Sequence, residues 1–269
     1  MSPLVPILLC ADDFGLSPGV SRAIASLLTD KRLSATSCMT KARFWPETAP
    51  LLKPLAGSAA IGLHVTLTAL APHPPLSVLL KQAFLRQLSQ ADIEAELNSQ
   101  IDAFEAALGR KPDFLDGHQH VHVLPVIRDA VLGVMTSRLK GAWLRDVWEP
   151  LPSLFQNAPS PLKALALNGL GFVLHQKAKS LGIPVNRGFR GAYDLLGPHE
   201  PPERLFPRFL ANAQHSMLIM CHPAHIDEAL INGPDPVHAP REAERAYLAS
   251  DLFSRHLAEA GVALAAGLG

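Results

Sequence analysis

VPILLCADD, residues 5–13, joins seven consecutive residues without a polar side chain to two aspartates. An apolar run that does not alternate with polar residues is typical of a strand buried on both faces of a parallel sheet. Ser17 and Pro18 follow, a good helix cap and a residue favoured at the first helical position, so a helix is predicted to begin there. The stretch therefore predicts the first βα unit of an α/β fold, with Asp12 and Asp13 at the carboxyl end of its strand.

The same strand–helix order repeats about seven times along the chain, which predicts parallel βαβ units. An open doubly wound sheet and a closed, irregular barrel both fit this order, and in either fold the active site lies at the carboxyl ends of the strands. The prolines in residues 67–85 predict a loop with short irregular pieces. The predicted strands span residues 5–11, 33–39, 59–66, 142–147 and 216–220, with another that begins at Phe114, and the later helices span residues 44–55, 89–108, 125–139, 161–181 and 241–260.

Composition and charge favour one globular unit. No linker divides the chain, so residues 1–269 are predicted to form a single domain, a size that one α/β barrel routinely reaches. Of the 269 residues 48% are hydrophobic, and 24 lysines and arginines balance 24 aspartates and glutamates. Without net charge no broad field attracts nucleic acid or an anionic membrane, and neither is expected as a partner.

The cysteines and the N-terminus bear on the compartment. Cys10, Cys38 and Cys221 lie far apart in apolar runs, which predicts free thiols in a reducing environment. The first apolar stretch lacks a basic region and meets Asp12 after about ten residues, too short for a membrane-spanning helix and unlike a signal peptide. The sequence therefore predicts a soluble, cytoplasmic protein without a transmembrane segment.

Polar residues interrupt the apolar runs at the predicted strand ends, where an unpaired charge or imidazole is costly. Since neighbouring parallel strands bring their carboxyl ends to one edge of a sheet, these side chains are expected to converge. They are Asp12, Asp13, His64, Asp116, His118, His120, His122, His222 and His225.

The segment DGHQHVH, residues 116–122, is the strongest single signal. In an extended chain its three alternating histidines would share one face, an arrangement suited to holding a divalent ion with a carboxylate. The alternative is a solvated histidine tract, which the flanking pairs Phe114–Leu115 and Val123–Leu124 disfavour.

One carboxylate and two histidines leave coordination positions open for water and substrate, as a hydrolytic metal requires. A second carboxylate can then act as general base and another histidine as the acid for a leaving amine. The sequence offers five residues for these roles and does not say which aspartate is which: Asp12, Asp13, His64, His118 and His222.

Four segments resemble, in order and spacing, the signatures of the YdjC/ChbG/HpnK family of carbohydrate deacetylases. They are ADDFGLS at residues 11–17, GLHVTLT at 62–68, LDGHQHVHVLP at 115–125 and MCHPAHID at 220–227. The resemblance implies a distorted (β/α) barrel of the polysaccharide-deacetylase type, with about seven parallel strands and one divalent metal ion, Mg²⁺ or Zn²⁺. It also implies an N-acetylated sugar, an oligosaccharide or a glycolipid head group, as substrate.

Roles follow from this resemblance by position. Asp13, His64 and His118 would bind the metal, Asp12 would be the general base and His222 the acid. Related proteins often form homodimers, so a homodimer is an expectation that rests on the resemblance alone.

The chain departs from the family pattern in two places. Cys10 stands where many relatives have asparagine, and residues 146–215 match little of the pattern. Within them NRGFRGAYD, residues 186–194, is most like a substrate loop. Arg187 and Arg190 could therefore meet a phosphate or carboxylate, or be ordinary surface arginines.

Other side chains are predicted to support the site. Arg145, at a strand end, could face the pocket as a substrate contact or form a structural ion pair. His120 and His122 are expected to contact substrate or to support the ligands, and Asp116 to orient its loop.

Two alternatives to the deacetylase remain. One is another metal-dependent amidohydrolase or a phosphoesterase, although a two-metal phosphoesterase needs more carboxylate ligands than the sequence shows. The other is a non-catalytic sugar- or metal-binding relative, against which the presence of Asp12 argues.

Overall fold

The computed structural model describes residues 3–157, 161–197 and 200–268, which fold around one parallel sheet. The strands follow the order β5-β4-β3-β2-β1-β7-β6, and β8 also pairs with β1. A parallel bridge between Leu144 and Val185 joins β5 to the segment that leads into β6, so the two ends of the sheet approach each other. This arrangement confirms the predicted distorted (β/α) barrel over the open doubly wound sheet. The strands are β1 (Val5–Phe14), β2 (Ala35–Cys38), β3 (Ala60–Val65), β4 (Phe114–Gly117), β5 (Trp143–Leu144), β6 (Phe189–Arg190), β7 (Leu218–Cys221) and β8 (Val262–Leu264).

The helices cover the outside of the sheet and connect its strands. Predicted caps are present at several of them: the Ser17 hydroxyl accepts from the Val20 amide at 3.1 Å, and Gly109 ends the fourth helix in the left-handed conformation. The helices are α1 (Pro18–Thr29), α2 (Trp45–Thr48), α3 (Leu76–Phe84), α4 (Gln90–Leu108), α5 (Ile127–Ser137), α6 (Leu151–Asn157), α7 (Pro161–Ser180), α8 (Pro202–Leu210), α9 (Glu228–Ile231), α10 (Ala239–Leu248) and α11 (Asp251–Glu259), with 3₁₀ turns over Ala49–Leu55 and His118–Val123.

Several elements differ from the sequence prediction. The predicted loop at residues 67–85 contains α3, whose Leu79 and Ala83 are buried four residues apart. The predicted helix at residues 241–260 is two helices, because the Ser250 hydroxyl caps a new one by accepting from the Phe253 amide. The sequence prediction also missed β6, β8, α6, α8 and α9, all of ten residues or fewer, too short for a clear period.

A bulge ends β1 at the two aspartates. The pairing register between β1 and β2 shifts between Ala11 and Phe14, and Asp13 has a φ of 69°. In a regular strand, adjacent side chains point to opposite faces. The bulge breaks this alternation, and Asp12 and Asp13 both line the same cavity.

The core is divided between the two faces of the sheet, and all three cysteines are buried and free. Within the described residues, no helix combines the length and the apolar character needed to cross a membrane.

A substitution at Gly19 tests the contact that joins α1 to the loop after β7. Its amide donates to Asp227 Oδ2 at 2.5 Å, and a Cβ at this position would lie 2.2 Å from the His225 carbonyl oxygen. Gly19→Ala should lower the free energy of unfolding by about 2 kcal/mol or more, because backbone has to shift. Urea denaturation measures the change.

The matched control is Gly169→Ala, which adds the same methyl group to an exposed position in α7 with nothing within 4 Å. This change should raise stability by roughly 0.5–1 kcal/mol, because alanine is the better helix former. Equal effects of the two substitutions would contradict the close approach at Gly19.

Candidate metal centre and active site

A cavity of about 460 Å³ opens at the carboxyl ends of the strands. It brings together most of the site residues predicted from the sequence, which come from the ends of β1 and β3 and from the segments after β4 and β7. Those that line the cavity are Asp12, Asp13, His64, His118, His120 and His222.

Asp13, His64 and His118 form a compact group of possible metal ligands in the cavity. Asp13 Oδ1 lies 3.3 Å from His64 Nε2 and 3.0 Å from His118 Nδ1, and the three candidate ligand atoms lie within 4.8 Å of one another. Metal–ligand bonds of about 2.1 Å at octahedral or tetrahedral angles separate neighbouring ligand atoms by roughly 3.0–3.4 Å. The donor set and its spacing therefore fit one divalent ion.

The orientation of His64 supports this fit. Its Nδ1 lies 2.6 Å from Asp116 Oδ1 and 2.6 Å from Ser37 Oγ. An ionised carboxylate only accepts, so Nδ1 carries a proton, and Nε2 faces Asp13 as the nitrogen that would release its own proton to bind a metal. Burial by itself lowers the pKa of His64, but the carboxylates of Asp116 and Asp12 outweigh burial and raise that pKa to about 10. The position between His64 and Asp13 thus attracts positive charge.

Arg145 holds Asp12 from beneath the cavity. Its guanidinium donates to both Asp12 oxygens, at 2.6 and 2.7 Å, and Nη2 lies 2.6 Å from Asp116 Oδ2 and 3.1 Å from Cys10 Sγ. Burial by itself raises the pKa of Asp12, but Arg145 outweighs burial and holds it below its ordinary value. The Arg145 side chain is fully buried and is bound to Asp12. Of the two roles that the sequence left open for Arg145, the structure therefore favours the structural ion pair.

Cys10, Asp12 and Asp116 also approach one another closely enough to hold a metal. The Arg145 guanidinium already lies against all three side chains and provides their positive charge. In this second cluster the Arg145 side chain therefore takes the place that a metal ion would occupy.

Arg241 of α10 holds the other oxygen of Asp13. Its Nη2 lies 2.6 Å from Asp13 Oδ2, and it also pairs with Asp235. Oδ1 is thus the Asp13 oxygen that faces His64 and His118. Neither Arg241 nor Asp235 was singled out from the sequence. Arg241 was missed because an arginine in an amphipathic helix usually lies at the surface.

The alternating pattern predicted an extended histidine segment, but the structure shows that this segment is not extended. Residues His118–Val123 form a 3₁₀ turn in which Gln119 and His120 have positive φ angles of 52° and 58°. The chain turns because β4 ends at Gly117, so the three rings do not share one face. His118 reaches Asp13, whereas the other two histidines take separate positions.

His120 lines the cavity with its ring 5.4 Å from that of Phe189. Burial, reinforced by Arg145, lowers the pKa of His120 to about 3, so the ring is neutral. His122 is fully buried below the cavity, where its Nε2 lies 3.2 Å from the Arg145 carbonyl oxygen. His122 is thus placed to support the Arg145 backbone, and a direct substrate contact would require it to move.

His222 lies half-buried at the far side of the cavity, and its Nδ1 has no hydrogen-bond partner among the described residues. Its backbone amide donates to Glu244, whose other oxygen accepts from the Tyr193 hydroxyl at 2.8 Å. Tyr193 also lines the cavity. The sequence prediction missed both Tyr193 and Glu244. His225, by contrast, is exposed and joins the loop to α1 through its backbone.

The two predicted arginines of residues 186–194 lie outside this cavity. Arg190 is buried, with Nε 3.2 Å from Glu149 Oε1 and Nη1 donating to the Phe209 carbonyl at 2.8 Å. Arg187 is exposed and lines a different cavity. The spacing of the two arginines did not reveal this, because residue 190 belongs to a buried strand and residue 187 precedes it.

The chain is similar to known proteins in both sequence and fold. The sequence profile described as YdjC-like protein matches residues 6–259. A proposed cellobiose-phosphate cleavage protein from Enterococcus faecalis V583 has a TM-score of 0.72 at 22% sequence identity, over 98% of this chain and 97% of that one. A family 4 carbohydrate esterase from Streptomyces lividans, in complex with acetate, has a TM-score of 0.50 at 11% identity, over 99% and 93%. At these identities the two structures show a shared fold, the barrel of the polysaccharide-deacetylase type.

Arg145→Ala should be strongly destabilising, because it leaves Asp12 and Asp116 buried without their cation. Removing one partner of a buried ion pair costs about 3–5 kcal/mol. The free energy of unfolding in urea measures the loss.

Arg110→Ala is the control, since Arg110 pairs with Asp113 at the surface, where such pairs contribute about 0–1 kcal/mol. A loss below about 1 kcal/mol for Arg145→Ala would show that the two carboxylates do not depend on it.

Proposed function

Because the chain belongs to the YdjC-like protein family, we propose that it is a metal-dependent hydrolase that removes the acetyl group from an N-acetylated sugar. The observation that carries this proposal is the arrangement of Asp13, His64 and His118 around one position, with Asp12 and His222 lining the same cavity. A cavity of about 460 Å³ at the strand ends is large enough for a sugar ring.

The proposed reaction assigns one task to each polar side chain. Asp13, His64 and His118 would hold the ion, which would polarise the amide carbonyl and make water more acidic. Asp12 takes a proton from the attacking water, and His222 gives a proton to the leaving amine nitrogen. Arg145 keeps Asp12 ionised and fixes both of its oxygens, so that this carboxylate stays in place as the proton moves.

The site favours one metal ion over two. A two-metal phosphoesterase needs a second set of carboxylate ligands near the first. Of the carboxylates close to Asp13, Asp12 and Asp116 already pair with Arg145, and Asp235 pairs with Arg241. The amide hydrolase is therefore the better proposal, and hydrolysis of a phosphate ester is the alternative that activity assays test.

We propose zinc as the preferred ion, with magnesium as the alternative. Two of the three donors are imidazole nitrogens, which suit zinc, whereas magnesium prefers oxygen ligands. Arg241 engages the second Asp13 oxygen, so the carboxylate oxygen that faces the two imidazoles is Oδ1.

Metal titration tests the ligand set directly. Isothermal titration calorimetry should show one equivalent of Zn²⁺ bound by the wild type and at least 100-fold weaker binding by His64→Ala and His118→Ala. Asp116→Asn should weaken binding by about 10–100-fold, because Asp116 orients His64 without being a ligand.

His215→Ala is the control, because it removes an exposed histidine that precedes β7, at the opposite ends of the strands. Unchanged zinc affinity in His64→Ala, or two equivalents bound by the wild type, would contradict the proposed centre.

Acetate release tests the reaction. Zinc-loaded wild type should release acetate from at least one of a panel of N-acetylated sugars. Asp12→Asn should lower kcat at least 100-fold while it keeps the zinc, since it removes the proton acceptor and leaves Asp116 paired with Arg145. His64→Ala should lose both activity and metal. Asp30→Asn makes the same chemical change at an exposed position and should retain activity.

Two outcomes would support the alternatives to a deacetylase. Release of phosphate from phosphate esters, without acetate from any sugar, would assign the site to a phosphoesterase. A wild type that binds zinc stoichiometrically and hydrolyses neither class would be a metal- or sugar-binding relative of the enzymes.

A further inference from the structure

A second cavity of about 610 Å³ lies beside the seam between β5 and β6. The segment after β5 separates it from the catalytic cavity, because adjacent side chains there point to opposite sides. Arg145 reaches Asp12, whereas Asp146 reaches His175 on α7. Nothing in the proposed reaction uses the Asp146 side.

Asp146 is held rigidly in this cavity wall. Its backbone amide donates to Asn186 Oδ1 at 2.8 Å, and Asn186 Nδ2 donates back to the Asp146 carbonyl at 2.9 Å. The Asp146 carboxylate accepts from the Trp148 amide through Oδ1 at 2.9 Å. Its other oxygen remains for His175.

His175 and Trp148 form a fixed pair of rings on the wall. His175 Nδ1 lies 2.5 Å from Asp146 Oδ2, and the two ring centroids are 4.5 Å apart. This contact leaves His175 Nε2 without a hydrogen-bond partner among the described residues. Trp148 is half-buried, so part of its surface remains open to a flat ligand.

The charges that line the cavity do not balance. Glu149 forms an ion pair with Arg190, and the Asp146 carboxylate is hydrogen-bonded to the His175 ring. Lys179 and Arg187 also line the cavity, are exposed, and make no ion pair with any described residue. Lys179 follows His175 by four residues in α7, which places both on the same face of the helix.

We propose that this cavity is a second ligand site, separate from the catalytic cavity, for a sugar that carries a phosphate or carboxylate group. Lys179 and Arg187 bind the anionic group, and Arg187 can do so in a bidentate manner. The sugar ring packs against Trp148, and His175 Nε2 hydrogen-bonds to a ring hydroxyl. This proposal does not depend on the deacetylase reaction.

Tryptophan fluorescence gives a direct readout. Trp45 and Trp143 are buried elsewhere, so Trp148 is the tryptophan that a ligand in this cavity contacts. Titration with glucose 6-phosphate or glucuronate should change the emission, and calorimetry should give the affinities. Glucose should bind at least tenfold more weakly, and so should inorganic phosphate. The tighter of the two anionic sugars identifies the preferred anion.

The double variant K179A/R187A should weaken binding of the anionic sugar at least tenfold, because it removes both cations. The control K53A/R22A loses the same charge at exposed positions outside the cavity and should bind as the wild type does. Trp148→Phe should abolish the fluorescence change while calorimetry still detects the ligand.

Asp12→Asn separates this site from the catalytic one, since it should retain wild-type affinity for the anionic sugar. Loss of binding in Asp12→Asn with full binding in K179A/R187A would place the ligand in the catalytic cavity and overturn the proposal. Equal affinities for glucose and glucose 6-phosphate would overturn it as well.

Discussion

The rest of the site depends on three carboxylates buried at the carboxyl ends of β1 and β4, those of Asp12, Asp13 and Asp116. A buried charge is costly unless an opposite charge lies against it. Two buried arginines, Arg145 and Arg241, provide part of the positive charge required, and Arg241 also pairs with Asp235. Negative charge therefore remains beside His64 and His118, where a proton or a metal ion can compensate it. The arginine pairs and the candidate metal centre are therefore parts of one charge balance.

Backbone geometry makes this balance possible. A regular strand would send Asp12 and Asp13 to opposite faces, and only one could enter the cavity. The bulge at the end of β1 turns both inward, and Asp13 accepts a left-handed conformation to do so. Such strain persists where surrounding contacts outweigh it, and Asp13 has three partners in His64, His118 and Arg241. Strain and function thus coincide at the same residue.

The sequence was informative where one local property decides the outcome. The uninterrupted apolar run in β1 predicted a doubly buried parallel strand, and the polar residues at strand ends predicted which side chains meet. Prediction failed where a single tight turn decides: the histidines of residues 116–122 alternate in sequence, but Gln119 and His120 turn the chain and separate them. It also failed for Arg241, because no local pattern tells that a helix arginine will face a buried aspartate 228 residues away.

The arginines at positions 145, 187 and 190 show why residue type alone cannot assign a role. All three were candidate substrate contacts, and Arg187 and Arg190 were candidates for meeting a phosphate or carboxylate. Arg145 and Arg190 are buried against carboxylates of the protein, so their charge is already neutralised and a ligand would gain little from them. Arg187 is exposed and has no such partner among the residues that the structure describes, so its charge is available to a ligand. An arginine can recognise an external anion only where the fold has not already supplied one, and that condition is set by tertiary structure.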